Sequence, residues 1–168
     1  FDMNKLERGK EERRKAWRND AYAKVTGKAK YTDDLKMAGM LHAIPVYTDV
    51  QHARILEIDT SRARNRAGVV AVITAADIPG EQKYGQIIRD YPILAGDRIR
   101  SYGDVVALVV ARSREEAIAA GKQISIRTKK LPPVLDPEKA LQTDSPLVHE
   151  EMESNLVNHH RIRKGDLK

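Results

Sequence analysis

The sequence predicts an α/β fold, and three observations predict it. Apolar stretches of strand length recur between polar breaks, and one of them, Val105 to Ala111, contains no polar residue at all, as expected of a strand covered on both faces. That stretch runs into Ser113 and Glu116, spaced as a helix N-cap and its reciprocal partner, so the one main helix is expected at about 113–123. ISIRT (124–128) then returns as a strand, which makes 104–128 read as a βαβ-like unit.

The remaining elements follow in order. Residues 1–20 form a charged segment or helix, with Leu6, Ala16 and Trp17 as its few apolar anchors and Gly9 weakening it. VTGKAKY (25–31) leads into a turn at TDD (32–34), and MLHAIPV (40–46) is strand-like, Pro45 marking an edge or bulge. ARILEIDT (53–60) alternates, with Leu56 and Ile58 on one side and Ile55 and Glu57 on the other. SRARNRAG (61–68) reads as a short helix closed by Gly68. GVVAVITAADIPG (68–80) reads as a buried strand and a turn capped by Thr74 and Asp77, stopped at Pro79-Gly80. Residues 81–98 show no period and read as a long excursion, with Tyr84, Gln86, Ile87, Ile88 and Tyr91 as candidate contacts. LPPVLDPEKAL (131–141) is an extended proline segment with a small helix, and 142–168 is polar and irregular. The domain organisation expected is a charged N-terminal segment (1–20), a body (21–145) and a polar linker (146–168).

Composition narrows the function classes. The net charge is +6, but residues 1–18 hold seven Lys/Arg against four acids and residues 158–168 hold four against one. Residues 19–157 are neutral, with nineteen of each sign, so the body does not resemble a phosphate-binding surface. A stand-alone interaction or nucleic-acid-binding module would have to work through its basic ends. The absence of cysteine excludes disulfides, thiolate metal sites, an iron–sulfur cluster held by this chain and a cysteine nucleophile, and fits a reducing, cytoplasmic compartment. No apolar run is long enough to span a bilayer, so no membrane partner is expected. A chain opening at Phe1 and closing on KGDLK reads as a piece of something longer.

Candidate chemistry is sparse. Asp33 and Asp34 are adjacent carboxylates, but neighbours on an extended chain point apart, and T-D-D has the composition of a turn. His42 and His52 lack ligand spacing and read as surface or satisfied histidines. His149, Glu150, Glu151, His159 and His160 could gather a stray divalent ion, yet the segment is polar loop. No nucleophile elbow, Walker loop or G-x-G-x-x-G is present, and Gly80, Gly85 and Gly96 are spaced like hinges. No catalytic, cofactor-binding or metal-ligating residue is therefore assigned, and the chain reads as a non-catalytic domain of a larger enzyme.

KVTGKAKYTDDLKMAGMLHA (24–43), QHARILEIDTSRA (51–63), GVVAVITAADIPG (68–80), ILAGDRIRSYGDVVALVVARSREEA (93–117) and LPPVLDPEKAL (131–141) follow one another in a familiar order and spacing. Over about residues 23–166 the chain resembles the N-terminal α/β hammerhead domain of the molybdenum-binding subunit of the xanthine dehydrogenase and aldehyde oxidase family. That resemblance implies an α/β (α+β) hammerhead, a mixed sheet with strands around the one main helix and short helices. It implies a parent oxidoreductase that hydroxylates an N-heterocycle or an aldehyde with water-derived oxygen. The parent's molybdenum–pterin cofactor would sit in the following molybdopterin-binding domain, with iron–sulfur clusters and FAD in partner domains or subunits. The fragment alone would be inactive, a scaffold and substrate-funnel wall, and Gln86 and Ile87 match the family segment near the funnel mouth. The substrate implied is a small molecule, a purine or an aldehyde, with no nucleic acid involved. The chain departs from the family pattern at Thr48 and Val50, at Arg127, Lys129 and Lys130, and at Ser154, where a glycine is usual.

Overall fold

The structure is a computed structural model that describes residues 18–86 and 88–166. The charged segment or helix expected over residues 1–20 thus lies mostly outside the described residues. The chain forms two compact units, Phe1–Met40 and Leu41–Lys168.

In the first unit, helix α1 (Ala21–Val25) ends where VTGKAKY begins, and residues 28–31 lead without regular structure into the turn. Asp20 before it pairs with Lys24, one turn on, and with Arg18, which hold its carboxyl below the usual range, the Lys24 contact contributing most. TDD is the expected turn: Thr32–Asp34 is one turn of 3₁₀ helix, and Asp34 accepts the Tyr31 N–H at 2.9 Å. Asp33 and Asp34 are both exposed and serve this turn instead of forming a carboxylate pair.

The second unit holds eight described strands. β1 (His42–Tyr47), β3 (Val69–Thr74) and β7 (Val105–Ala111) form one sheet with β7 central. Pro45 is on edge strand β1, where its missing N–H costs no ladder bond toward a second neighbour. β7 is continuous and apolar because the sheet flanks it on both edges while a helix covers one face. Ala107, Val109 and Ala111 point to that helix and are fully buried. β3 is the other edge strand, and Val70 on it stays half exposed, so it is less buried than its composition suggests. The short helix α2 (Ser61–Arg64) precedes it and ends before Gly68. Gly68 instead launches β3: its φ is +83°, its carbonyl accepts the Arg112 N–H, and a Cβ there would strike the Glu116 carboxylate. At the far end of β3, Asp77 accepts both the N–H and the hydroxyl of Thr74, and these bonds hold its carboxyl below the ordinary value.

The main helix α3 (Arg114–Gly121) starts as expected. Ser113 Oγ accepts the Glu116 N–H, and the Glu116 carboxylate accepts the Ser113 N–H. It lies on β1 and β7 through Ala117 and Ala120, small residues that let helix and sheet approach closely. The βαβ-like reading of 104–128 does not survive. β8 (Ser125–Lys130) pairs with β2 (Ala53–Asp59) in a second sheet, β6-β2-β8, where β6 is Arg98–Ile99. All ladders are antiparallel, so the hammerhead is built from small antiparallel sheets. β2 also loses its simple alternation. A register shift between Ile55 and Glu57 inserts one residue, so Ile55 and Ile58 are half buried and Leu56 is exposed. Among the described residues no helix is long and apolar enough to cross a membrane.

Candidate functional site

The excursion at 81–98 is organised by a minimal hairpin. β4 (Lys83–Tyr84) pairs with β5 (Tyr91–Pro92), and the Tyr84 and Tyr91 rings meet edge to face at 5.2 Å and 61°. These two aromatics therefore hold each other. Gly85 begins the loop between the strands, and a Cβ there would collide with the Ile88 carbonyl, so the tight reversal requires glycine. Gln86 follows, exposed at the tip of this loop. Ile87 lies outside the described residues.

Beside the loop runs a groove of about 460 Å³, walled by Ile88, Val134, Leu135, Met152, Leu156 and Val157. Its walls come from segments without regular structure, and a single amide ties them together. Asn155 Nδ2 donates to the Ala140 carbonyl at 3.1 Å and the Pro146 carbonyl at 2.9 Å, while its Oδ1 accepts the Val148 N–H at 3.0 Å. Helix α4 (Pro137–Ala140) on the rim is capped by Asp136, which accepts the N–H groups of Glu138 and Lys139. The sequence reading missed Asn155 as an organiser. The available signal was an amide side chain in a polar tract that offers no backbone ladder of its own.

Behind the loop lies a buried polar lock. His52 is 6% exposed; its Nε2 accepts the Arg98 Nε–H at 3.0 Å, and its Nδ1 is 2.6 Å from the Pro132 carbonyl. Arginine can only donate, so Nε2 is bare and the proton sits on Nδ1, donated to Pro132: a neutral, fully satisfied core histidine. Arg98, 8% exposed, uses its remaining fork on Glu150, at 2.7 Å. The Arg98 hydrogen bond, followed by the charges of Arg98, Arg54 and Arg100, holds the Glu150 carboxyl below its ordinary 4.5. The Glu151 carboxyl is also lowered, first by its own backbone N–H and then by Arg100, His149 and Lys83. The C-terminal carboxylates thus face arginine and lysine. His159 and His160 are exposed, His160 beside Asn158, and His42 opens β1 opposite Ala111. No cluster of three metal-ligating side chains forms among the described residues.

A pterin-bound molybdenum centre does not fit the groove. Its lining is mostly aliphatic, its two carboxylates, Asp90 and Asp136, would repel the phosphate of a pterin cofactor, and the one amide, Asn155, is committed to three backbone partners. No step through such a group is derived for this chain.

Residues 26–132 match the family model described as "Aldehyde oxidase and xanthine dehydrogenase, a/b hammerhead domain". A probable xanthine dehydrogenase subunit of Bacillus subtilis is 37% identical over 150 residues, which is 89% of this chain and 20% of that protein. The "Nicotinate dehydrogenase large molybdopterin subunit" of Eubacterium barkeri is 38% identical over 148 residues, 88% of this chain and 34% of that protein. The aldehyde oxidoreductase of Desulfovibrio gigas superposes with a TM-score of 0.76 at 34% identity, over 81% of this chain and 16% of that one. The chain spans between a fifth and a third of the length of these two curated relatives.

Proposed function

This chain belongs to the aldehyde oxidase and xanthine dehydrogenase hammerhead family, and on that premise we propose that it is the N-terminal domain of a molybdenum hydroxylase of the xanthine dehydrogenase type. The parent enzyme hydroxylates an N-heterocycle or an aldehyde with water-derived oxygen at a molybdenum–pterin centre held by the domain that follows. Electrons leave through iron–sulfur clusters and FAD in partner domains or subunits, in the cytoplasm. Residues 146–168 lead toward the molybdopterin-binding domain, and 21–145 are the hammerhead itself. The chain contributes scaffold and one wall of the substrate funnel, with Gln86 and Ile87 on that wall.

The observation that carries this reading is the match across 26–132 in a chain whose own described residues assemble no catalytic constellation. The exposure of Gln86 at a loop tip supports its role, since a neutral amide there can hydrogen-bond a polar heterocycle without charge selection. The test uses the molybdenum holoenzyme containing this domain. Gln86→Ala is expected to raise KM for an N-heterocyclic substrate by about 2- to 12-fold, the worth of one hydrogen bond, with kcat retained. Unchanged KM for both purine and aldehyde substrates refutes the funnel-wall role. A purified parent without molybdenum and pterin refutes the assignment to this enzyme class.

A further inference from the structure

The second sheet carries an unusual row of charge. Arg98 on β6 is directly opposite Arg54 on β2, and Arg54 is directly opposite Lys129 on β8. Like charges directly opposite each other on neighbouring strands destabilise a sheet unless an anion sits between them. Among the described residues, the one carboxylate in an ion pair with this row is Glu150, on Arg98. The two partners differ in kind. The Arg98 side chain is 9% exposed and bolted by His52, whereas the Glu150 side chain is 60% exposed and stands on a turn (149–152) outside any strand or helix. The cation is a permanent part of the fold, and the carboxylate rests on it from the solvent side.

The surroundings have the chemistry of an anion site. A cleft of about 650 Å³ is lined by four cations, Arg54, Lys83, Arg98 and Arg100, and three carboxylates, Asp97, Glu150 and Glu151. Once Glu150 swings out, cations exceed carboxylates by two. Arg100 adds a donor in waiting: its Nε is buried and has no hydrogen-bond partner. An unsatisfied buried guanidinium N–H costs free energy that an incoming oxyanion recovers.

We propose that this cleft is an oxyanion-binding site, with Arg54, Arg98 and Arg100 as its ligands and Glu150 as a built-in competitor displaced by an external carboxylate or phosphate. Charge placement in the second sheet carries this site, independently of any role of Gln86 in a funnel.

The test titrates the 168-residue chain, at constant ionic strength held with sodium chloride, with inorganic phosphate and separately with a hexaglutamate peptide. Binding is read by amide chemical-shift changes in β2, β6 and the 149–152 turn and by the midpoint of thermal unfolding. Glu150→Gln removes the competitor and is expected to tighten binding about tenfold relative to the natural chain. Arg54→Gln in the same background, a change at an exposed position that spares the core, is expected to weaken it about tenfold again. Arg100→Gln serves as a second variant, and circular dichroism confirms that each variant is folded. A response to phosphate identifies a free anion as the ligand source, and a response to the peptide alone identifies a side-chain carboxylate of a neighbouring polypeptide. If Glu150→Gln responds to neither beyond the chloride control, or if Arg54→Gln and Arg100→Gln leave binding unchanged, the site does not exist.

Discussion

Replacing His52 by alanine tests the polar lock most directly. The imidazole ties a buried arginine to the backbone of the proline segment: it accepts from Arg98 Nε at 3.0 Å and donates to the Pro132 carbonyl at 2.6 Å. His52→Ala leaves the buried Arg98 Nε–H without its acceptor and strips the Pro132 carbonyl of its donor. Removing one partner of a buried, charge-assisted contact costs about 3–5 kcal/mol, a large part of the roughly 5–15 kcal/mol that holds a domain together. In a chain of this size that cost lowers the thermal midpoint by about 6–20 °C. The assay is urea unfolding followed by circular dichroism, in which the midpoint should fall while the slope is unchanged. His52→Gln keeps an acceptor near the Nε2 position and is expected to lose about half as much. The double variant His52→Ala with Arg98→Met removes both buried partners and should recover part of the loss. A cost below about 1 kcal/mol for His52→Ala, or no recovery in the double variant, would falsify the view that this contact organises the second sheet.

Four further outcomes are expected. Gly68→Ala should destabilise by about 2–3 kcal/mol in chemical denaturation, because alanine resists φ of +83° and its Cβ displaces the Glu116 carboxylate that caps α3. Ile99→Ala should cost about 2–5 kcal/mol by the same assay, since the side chain is fully buried. Asn155→Ala should cost about 1–3 kcal/mol and make residues 142–157 more susceptible to limited proteolysis, because three backbone anchors are lost together. Finally, the Glu150 carboxyl titrates lower in the folded chain than its ordinary 4.5, so the folded state binds fewer protons in the acid range. Its contribution is fully present above pH 4.5 and is lost as pH falls through the lowered value. Glu150→Gln should therefore lower stability at and above pH 4.5, neutrality included, and converge on the natural chain in acid, which flattens the acid limb of a pH-stability profile.

How much was legible in the sequence depends on how far apart the interacting residues lie. The start of α3 could be read directly because Ser113 and Glu116 bond across three residues, and the Thr74–Asp77 turn for the same reason. TDD could be read as a turn, and Pro45 as an edge marker, because each expresses a backbone constraint local to itself. The family was legible because its motifs keep their order along the chain. The pairing of strands was not. ISIRT looks like the return strand of a βαβ unit, yet β8 joins β2, whose residues lie some seventy positions earlier, and only the second sheet's own packing selects that partner. The alternation in ARILEIDT broke because a bulge, invisible in the hydrophobic pattern, moved Leu56 outward.

The candidate site shows the same division. Sequence alone determined that the chain has the strand, turn and helix signals of a hammerhead, that it lacks cysteine, and that Gln86 belongs to an excursion. Tertiary structure decided that His52 meets Arg98 across 46 residues and Pro132 across 80, that Arg54 stands opposite Arg98 and Lys129, and that Glu150 is the carboxylate resting on them. The physical reason is that caps and turns are satisfied by backbone groups within one turn of the chain, so their residues announce them. A buried charge must find its partner wherever the fold brings one, and that partner is set by the packing of whole strands.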